Sequence, residues 1–209
     1  MCTPSATTWT SLLAFLVGVA TAIFAPLITR WVSRPVLQVS FEPETCDKTT
    51  PTQVKNLATG KEKESLGRWV RVRVRTKNSW LRSRIAKGCR AHLINVEIEQ
   101  ENRFRPSGFV DTLRLQWSSK PPDEVLRPLD IPSDVAQFVD VLAADRNTPG
   151  SYSLQTGGFL PFYCQHLFDG RPTALRLTVL VTSDDAKAGR ARFVFRWTGA
   201  WDTFEASAR

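Results

Sequence analysis

Hydrophobic and polar positions divide the chain into one unbroken apolar stretch and a long run of short alternations. From Thr10 to Thr29 the sequence TSLLAFLVGVATAIFAPLIT carries no ionisable side chain, and the first charged side chain is that of Arg30. Twenty such residues predict a helix of about 30 Å, the thickness of a bilayer core. Trp9 and Trp31 bracket the stretch at headgroup level, and Pro26 lies near its end. A cleaved signal peptide and a buried core helix compete with this reading. The first has small residues at Ala20 and Ala22 but no basic start, and the second seldom runs so far without polar relief. The expectation is an N-terminal tail and single-pass transmembrane anchor over residues 1–34. Arg30 and Arg34 follow the span, so the positive-inside rule expects a cytoplasmic C-terminal domain on the inner membrane of the cell.

Beyond Pro35 the pattern changes to period two. Val36–Phe41 predicts a first strand. Residues 47–65 are polar, without periodicity, and read as a mobile loop. Arg68–Thr76 alternates strictly, Val70, Val72 and Val74 against Arg71, Arg73 and Arg75, which predicts a strand with one buried face. In Cys89–Gln100 the apolar phase changes between Leu93 and Ile94, and a bulge there would reconcile the two halves. Further strands are expected at Leu113–Trp117, Ala136–Leu142, Tyr152–Gln155, Leu175–Thr182 and Arg192–Trp197, separated by turn-forming segments. Seven to eight short strands with no helices between them predict an all-β fold, an antiparallel immunoglobulin-like β-sandwich over residues 35–209.

Charge adds a location to this picture. The chain carries a net charge of +8. Residues 66–105 hold eleven Lys and Arg against three Glu, while the rest of the β domain is slightly acidic. The candidate binding residues are Arg71, Arg73, Arg75 and Lys77 on the strand, with Trp80, Arg82, Arg84 and Lys87 in and after the loop that follows. Arginines two apart on a strand repeat about every 6.8 Å, near phosphate spacing, and Trp80 with Leu81 adds an apolar wedge. Anionic lipid headgroups are the favoured partner and nucleic acid the alternative. The competing account is a solvated strand face neutralised by Glu97, Glu99 and Glu101.

The stretch RWVRVRVRTKNSWLRSRIAKGCRAHLINVE, residues 68–97, resembles the strand–turn–strand of bacterial immunoglobulin-like modules of the CARDB type. It departs from them at Asn78-Ser79-Trp80, where the turn has no glycine and the loop is longer and basic. The DIPSDVAQFVDVL segment is similar to segments of other single-pass bacterial proteins. The resemblance implies a binding or scaffolding module and carries no catalytic residue over; with the anchor read from residues 1–34, the expectation is a membrane-anchored module with an unidentified protein partner.

Reactive side chains add little. Both histidines lie near cysteines, in Cys89-x-x-His92 and Cys164-x-His166, yet Cys89 and His92 point to opposite faces of a strand and neither spacing is that of a zinc finger. Cys46, Cys89 and Cys164 are an odd set, which suits reduced thiols; with the opposite topology any one pair could form a disulfide. The sequence has no nucleophile elbow, Walker loop or His-Glu-x-x-His. Asp130, Asp134 and Asp140 are as readily turn or exposed strand residues as paired acids. No enzyme, cofactor or metal is expected.

Overall fold

Alternation builds the sheets. Val70, Val72 and Val74 are completely buried, and the arginines between them stand on the opposite face. The structure is a computed structural model that describes every residue except 1–5, 33, 56–61, 78–84, 122, 149, 158, 159, 172 and 209.

One sheet has β3 (Glu62–Lys77) at its centre. On one side β3 pairs with β1 (Val36–Ser40) and β2 (Asp47–Lys55), on the other with β9 (Gln137–Asp145). β10 (Tyr152–Leu154) and β7 (Gln116–Trp117) then pair with β9. In the second sheet β4 (Ala86–Gln100) pairs with β11 (Thr173–Thr182), which pairs with β12 (Gly189–Trp197) and through it β13 (Glu205–Ala208). β5 (Arg103–Pro106), β6 (Leu113–Arg114) and β8 (Leu129–Ile131) also pair with β4. Among the described residues every pairing between these strands is antiparallel. The core between the sheets is rich in aromatic rings. Phe195 is fully buried, with ring centroids of Tyr152 at 5.0 Å, Phe204 at 5.2 Å and Trp197 at 6.2 Å. Phe41 stacks on Phe193 at 4.8 Å.

The expected antiparallel sandwich is present, with corrections. Among the described residues thirteen strands form sheets of six and seven, in place of seven to eight immunoglobulin-like strands. The transmembrane part of the expected fold is overturned: among the described residues no helix is long and apolar enough to cross a membrane. Helix α1 runs Ala6–Val32, and its side chains at 14–26 are described. Those side chains are exposed, Phe15 at 68% and Phe24 at 56%. The polar segment 47–65 is also not a loop throughout. β2 occupies its first half and the start of β3 its last residues, in register from Asp47↔Val70 to Lys55↔Glu62. β2 is an edge strand with Pro51 at its middle, so it needs neither alternation nor a full ladder.

The bulge falls where the phase change places it. Thr178 of β11 faces Asn95 and Val179 faces Leu93, so Ile94 is the extra residue. The expected strand Leu113–Trp117 is split in two. β6 pairs with β4 in one sheet and β7 with β9 in the other, and the chain crosses between them at the buried Leu115. At the opposite end of β4, β1 ties the sheets together. Leu37 donates to the Lys187 carbonyl at 3.0 Å, and Lys187 to the Pro35 carbonyl at 2.8 Å.

Candidate functional site

The candidate residues on β3 divide into a neutralised half and an open half. Arg71 Nε lies 2.6 Å from Asp140 Oδ1 on the neighbouring β9, and Ser118 donates to the same oxygen at 2.6 Å. Arg73 Nη1 lies 2.5 Å from Glu42 Oε2. Glu42 follows β1 and enters the short helix α2 (Pro43–Cys46). The Arg73 hydrogen bond holds the Glu42 carboxyl below its ordinary value. Arg68, at the start of the alternation, turns inward and closes the sandwich end. It makes a bidentate pair with Asp47 at 2.7 and 2.8 Å and lies 3.9 Å from the Phe204 ring centroid.

Arg75 stands opposite Gln38 and Lys77 opposite Val36. Both are exposed, and neither has a carboxylate partner among the described residues. Lys87 is exposed where the chain re-enters β4, and its backbone N–H donates to Asp185 at 2.8 Å. Trp80, Leu81, Arg82 and Arg84 lie outside the described residues. The open cations therefore sit at the end of β3 where Pro35 brings the chain in from α1. Asp130, Asp184 and Asp185 share this end, accepting from Gly88 N, Arg90 and Lys87 N respectively.

The neutralising partners differ from those the sequence suggests. β3 and β4 lie in opposite sheets, so Glu97 and Glu99 never face the β3 arginines. They pair instead with Arg176 at 2.5 Å and Arg196 at 2.6 Å, and Glu101 pairs with Arg105 at 2.9 Å. The Arg176 hydrogen bond lowers the Glu97 pKa, and that pair also holds Arg176 raised.

The cysteine–histidine pairs do not converge: among the described residues no three His, Cys, Asp or Glu side chains form a group that could hold a metal. The thiols of Cys46, Cys89 and Cys164 are buried and free, and burial pushes the Cys89 thiol up to about 11. His92 is held below its ordinary value by burial and by the neighbouring Arg114 and Arg90.

These shifts fix the direction of the pH dependence. A histidine whose folded pKa is depressed contributes stability that is complete above about pH 6.5 and lost as pH falls toward the folded value. Glu42 and Glu97, also depressed, contribute stability present above about pH 4.5 and lost below it. Urea midpoints should therefore fall in two stages on acidification, and His92→Gln should abolish the upper stage alone. A midpoint rising between about pH 6.5 and 5 would refute the assignment.

One feature of the β3 outer face escapes a reading that looks only for charge. Gly67 and Trp69 share the phase of Arg71, and a tryptophan on the solvent phase was the available signal. Trp69 faces Ala143 of β9, which in turn faces Ser153 of β10, and Gly67 faces Asp145. Together with Gln155 these residues line an open groove of about 290 Å³. A Cβ on Gly67 would meet Thr52 Cγ2 at 2.8 Å and the indole Nε1 at 3.1 Å, so the missing side chain lets Thr52 and the indole close over the strand at one end of the groove.

Compared with known proteins, the chain matches no protein-family model and no curated protein. The CARDB-type resemblance therefore rests on residues 68–97 alone.

Proposed function

We propose that the protein is a binding module that engages an anionic lipid surface through the far end of β3 and the basic segment after it. The observation that carries this reading is the division of the strand face. Arg71 and Arg73 are committed to Asp140 and Glu42, whereas Arg75 and Lys77 are exposed and have no carboxylate partner among the described residues. The sequence then continues with Arg82, Arg84 and Lys87 around Trp80 and Leu81. Each cation near an anionic bilayer contributes about 1 kcal/mol, so a handful suffices for reversible attachment. Lipid is favoured over nucleic acid because α1, whose Phe15, Ile23 and Phe24 are exposed, joins the sheet beside Lys77. An apolar element next to a cationic rim suits a headgroup interface.

The full chain should bind vesicles containing phosphatidylserine more tightly than vesicles of phosphatidylcholine alone. The difference should shrink as salt rises, because the Debye length is only about 8 Å at physiological ionic strength. Lys77→Glu should reduce it severalfold. Arg103→Glu makes the same charge change on an exposed residue at the other end of β4 and should not. Equal binding to both vesicle types at low salt refutes the proposal, and tighter binding to a single-stranded oligonucleotide in the same buffer replaces lipid with nucleic acid.

A further inference from the structure

The groove beside Trp69 lies on the same sheet as the cationic end but has a different chemistry. Its floor carries two of the smallest residues, Gly67 and Ala143, set diagonally across the β3–β9 pair. The half-buried Trp69 indole forms one wall, with the Arg71 guanidinium 5.5 Å from its ring centroid. The opposite wall is polar: Gln155 Nε2 donates to Ser153 Oγ at 2.8 Å, and Ser151 Oγ to the Thr148 carbonyl at 3.2 Å. At the end sits Asp145. Its carboxylate accepts from Ser65 Oγ at 2.7 Å, Asn147 N at 2.7 Å and Thr52 Oγ1 at 3.1 Å, which fixes its plane and leaves acceptor capacity toward the groove. The indole Nε1 of Trp69 stands over Gly67, 3.1 Å from where a Cβ there would lie, and has no acceptor among the described residues.

An aromatic wall, an unpartnered donor, a row of hydroxyl and amide groups and one oriented carboxylate select the ligand by elimination. A purely apolar ligand would strip water from Ser153, Gln155 and Asp145 without replacing their hydrogen bonds. A phosphate or carboxylate would meet Asp145, and the guanidinium beside the indole, that of Arg71, is already held by Asp140. A pyranose ring meets both demands, offering C–H groups to an indole face and hydroxyls to the polar wall. The volume, at the low end of small-molecule sites (~300–1,000 Å³), fits one or two rings. We propose that this groove is a subsite for a neutral saccharide, gripped between the Trp69 indole and the Asp145–Gln155 wall. It is independent of the cationic end of β3.

Saturation-transfer NMR on the full chain, with methyl β-glucoside, methyl β-galactoside and methyl N-acetyl-β-glucosaminide as probes, reads this directly. At least one glycoside should receive saturation, strongest at the ring C–H protons of a single face. Trp69→Ala should weaken binding about tenfold, the equivalent of about 1.4 kcal/mol, and Trp69→Phe should retain most of it. Ala143→Leu, which raises the floor from the outer face without touching the core, should abolish binding in a chain whose amide spectrum shows it folded. Lys77→Glu should change nothing here, so the two proposals fail separately. Absence of saturation in every glycoside overturns the proposal. So does binding unchanged by Ala143→Leu, or glucose 6-phosphate binding more tightly than the neutral glycosides.

Discussion

Val72→Asp is expected to leave the chain largely unfolded in buffer. Val72 is completely buried at the centre of β3, flanked by the equally buried Val70 and Val74 and facing Val139 on β9. The substitution removes apolar burial and places a carboxylate where no cation can reach it, because the β3 arginines stand on the other face. Several kcal/mol are lost, against a total stability of about 5–15 kcal/mol for a domain of this kind. Arg73→Ser, one residue along, should cost only about 1 kcal/mol. It breaks the pair with the half-exposed Glu42 but also removes a buried Nε that has no hydrogen-bond partner. Urea denaturation of both variants measures the contrast. Equal losses would mean that the inward and outward phases of β3 are misassigned.

Phe195→Ala should be nearly as damaging, at about 4 kcal/mol, for a different reason. The ring is fully buried on β12 and touches three others, those of Tyr152, Trp197 and Phe204. Its loss opens a cavity that these rings cannot readily fill. Tyr152 is held by a hydrogen bond from its hydroxyl to the Leu167 carbonyl at 2.8 Å, and Trp197 by one from its Nε1 to the Gly170 carbonyl at 2.6 Å. The reference substitution is Phe162→Ala, a ring 89% exposed, expected to move the midpoint by less than about 0.5 kcal/mol. If Phe195→Ala were as mild as Phe162→Ala, the aromatic cluster would not be holding that end of the sandwich.

What could be read from the sequence followed the physics that leaves a local trace. The alternation of β3 announced its buried face because a sheet with one wet side forces period two. The Leu93–Ile94 phase change announced a bulge because one extra residue must shift the alternation. β2 left no such trace, since a strand paired along one edge can be polar throughout and even carry Pro51. The short β5, β8 and β13 are held by their neighbours on β4 and β12 rather than by any pattern of their own. The membrane-spanning expectation drew on apolar length, bracketing tryptophans and a basic flank, and among the described residues no helix is long and apolar enough to cross a membrane. At the candidate site, exposure of the arginines was legible but their partners were not. Asp140 and Glu42 reach β3 from segments about 70 and 30 residues away, through pairings that only the topology decides. The groove went unread because its components, a tryptophan and an alanine on one register and a glycine on another, acquire meaning only when the strands pair.

The way β1 joins the sandwich has a mechanical consequence. Its five residues run antiparallel to β3 from Val36↔Lys77 to Ser40↔Arg73, while Pro35 and Leu37 exchange hydrogen bonds with Lys187 in the segment that joins β11 to β12. A tug on Pro35 along the strand axis is therefore resisted by the β1–β3 ladder and the Lys187 bonds together, instead of peeling one rung at a time. Gly189 tightens the seam, for a Cβ there would lie 2.3 Å from the Leu37 carbonyl oxygen. From Pro35 onward the attachment behaves as a rivet rather than a hinge, so force arriving there is carried into both layers of the sandwich together.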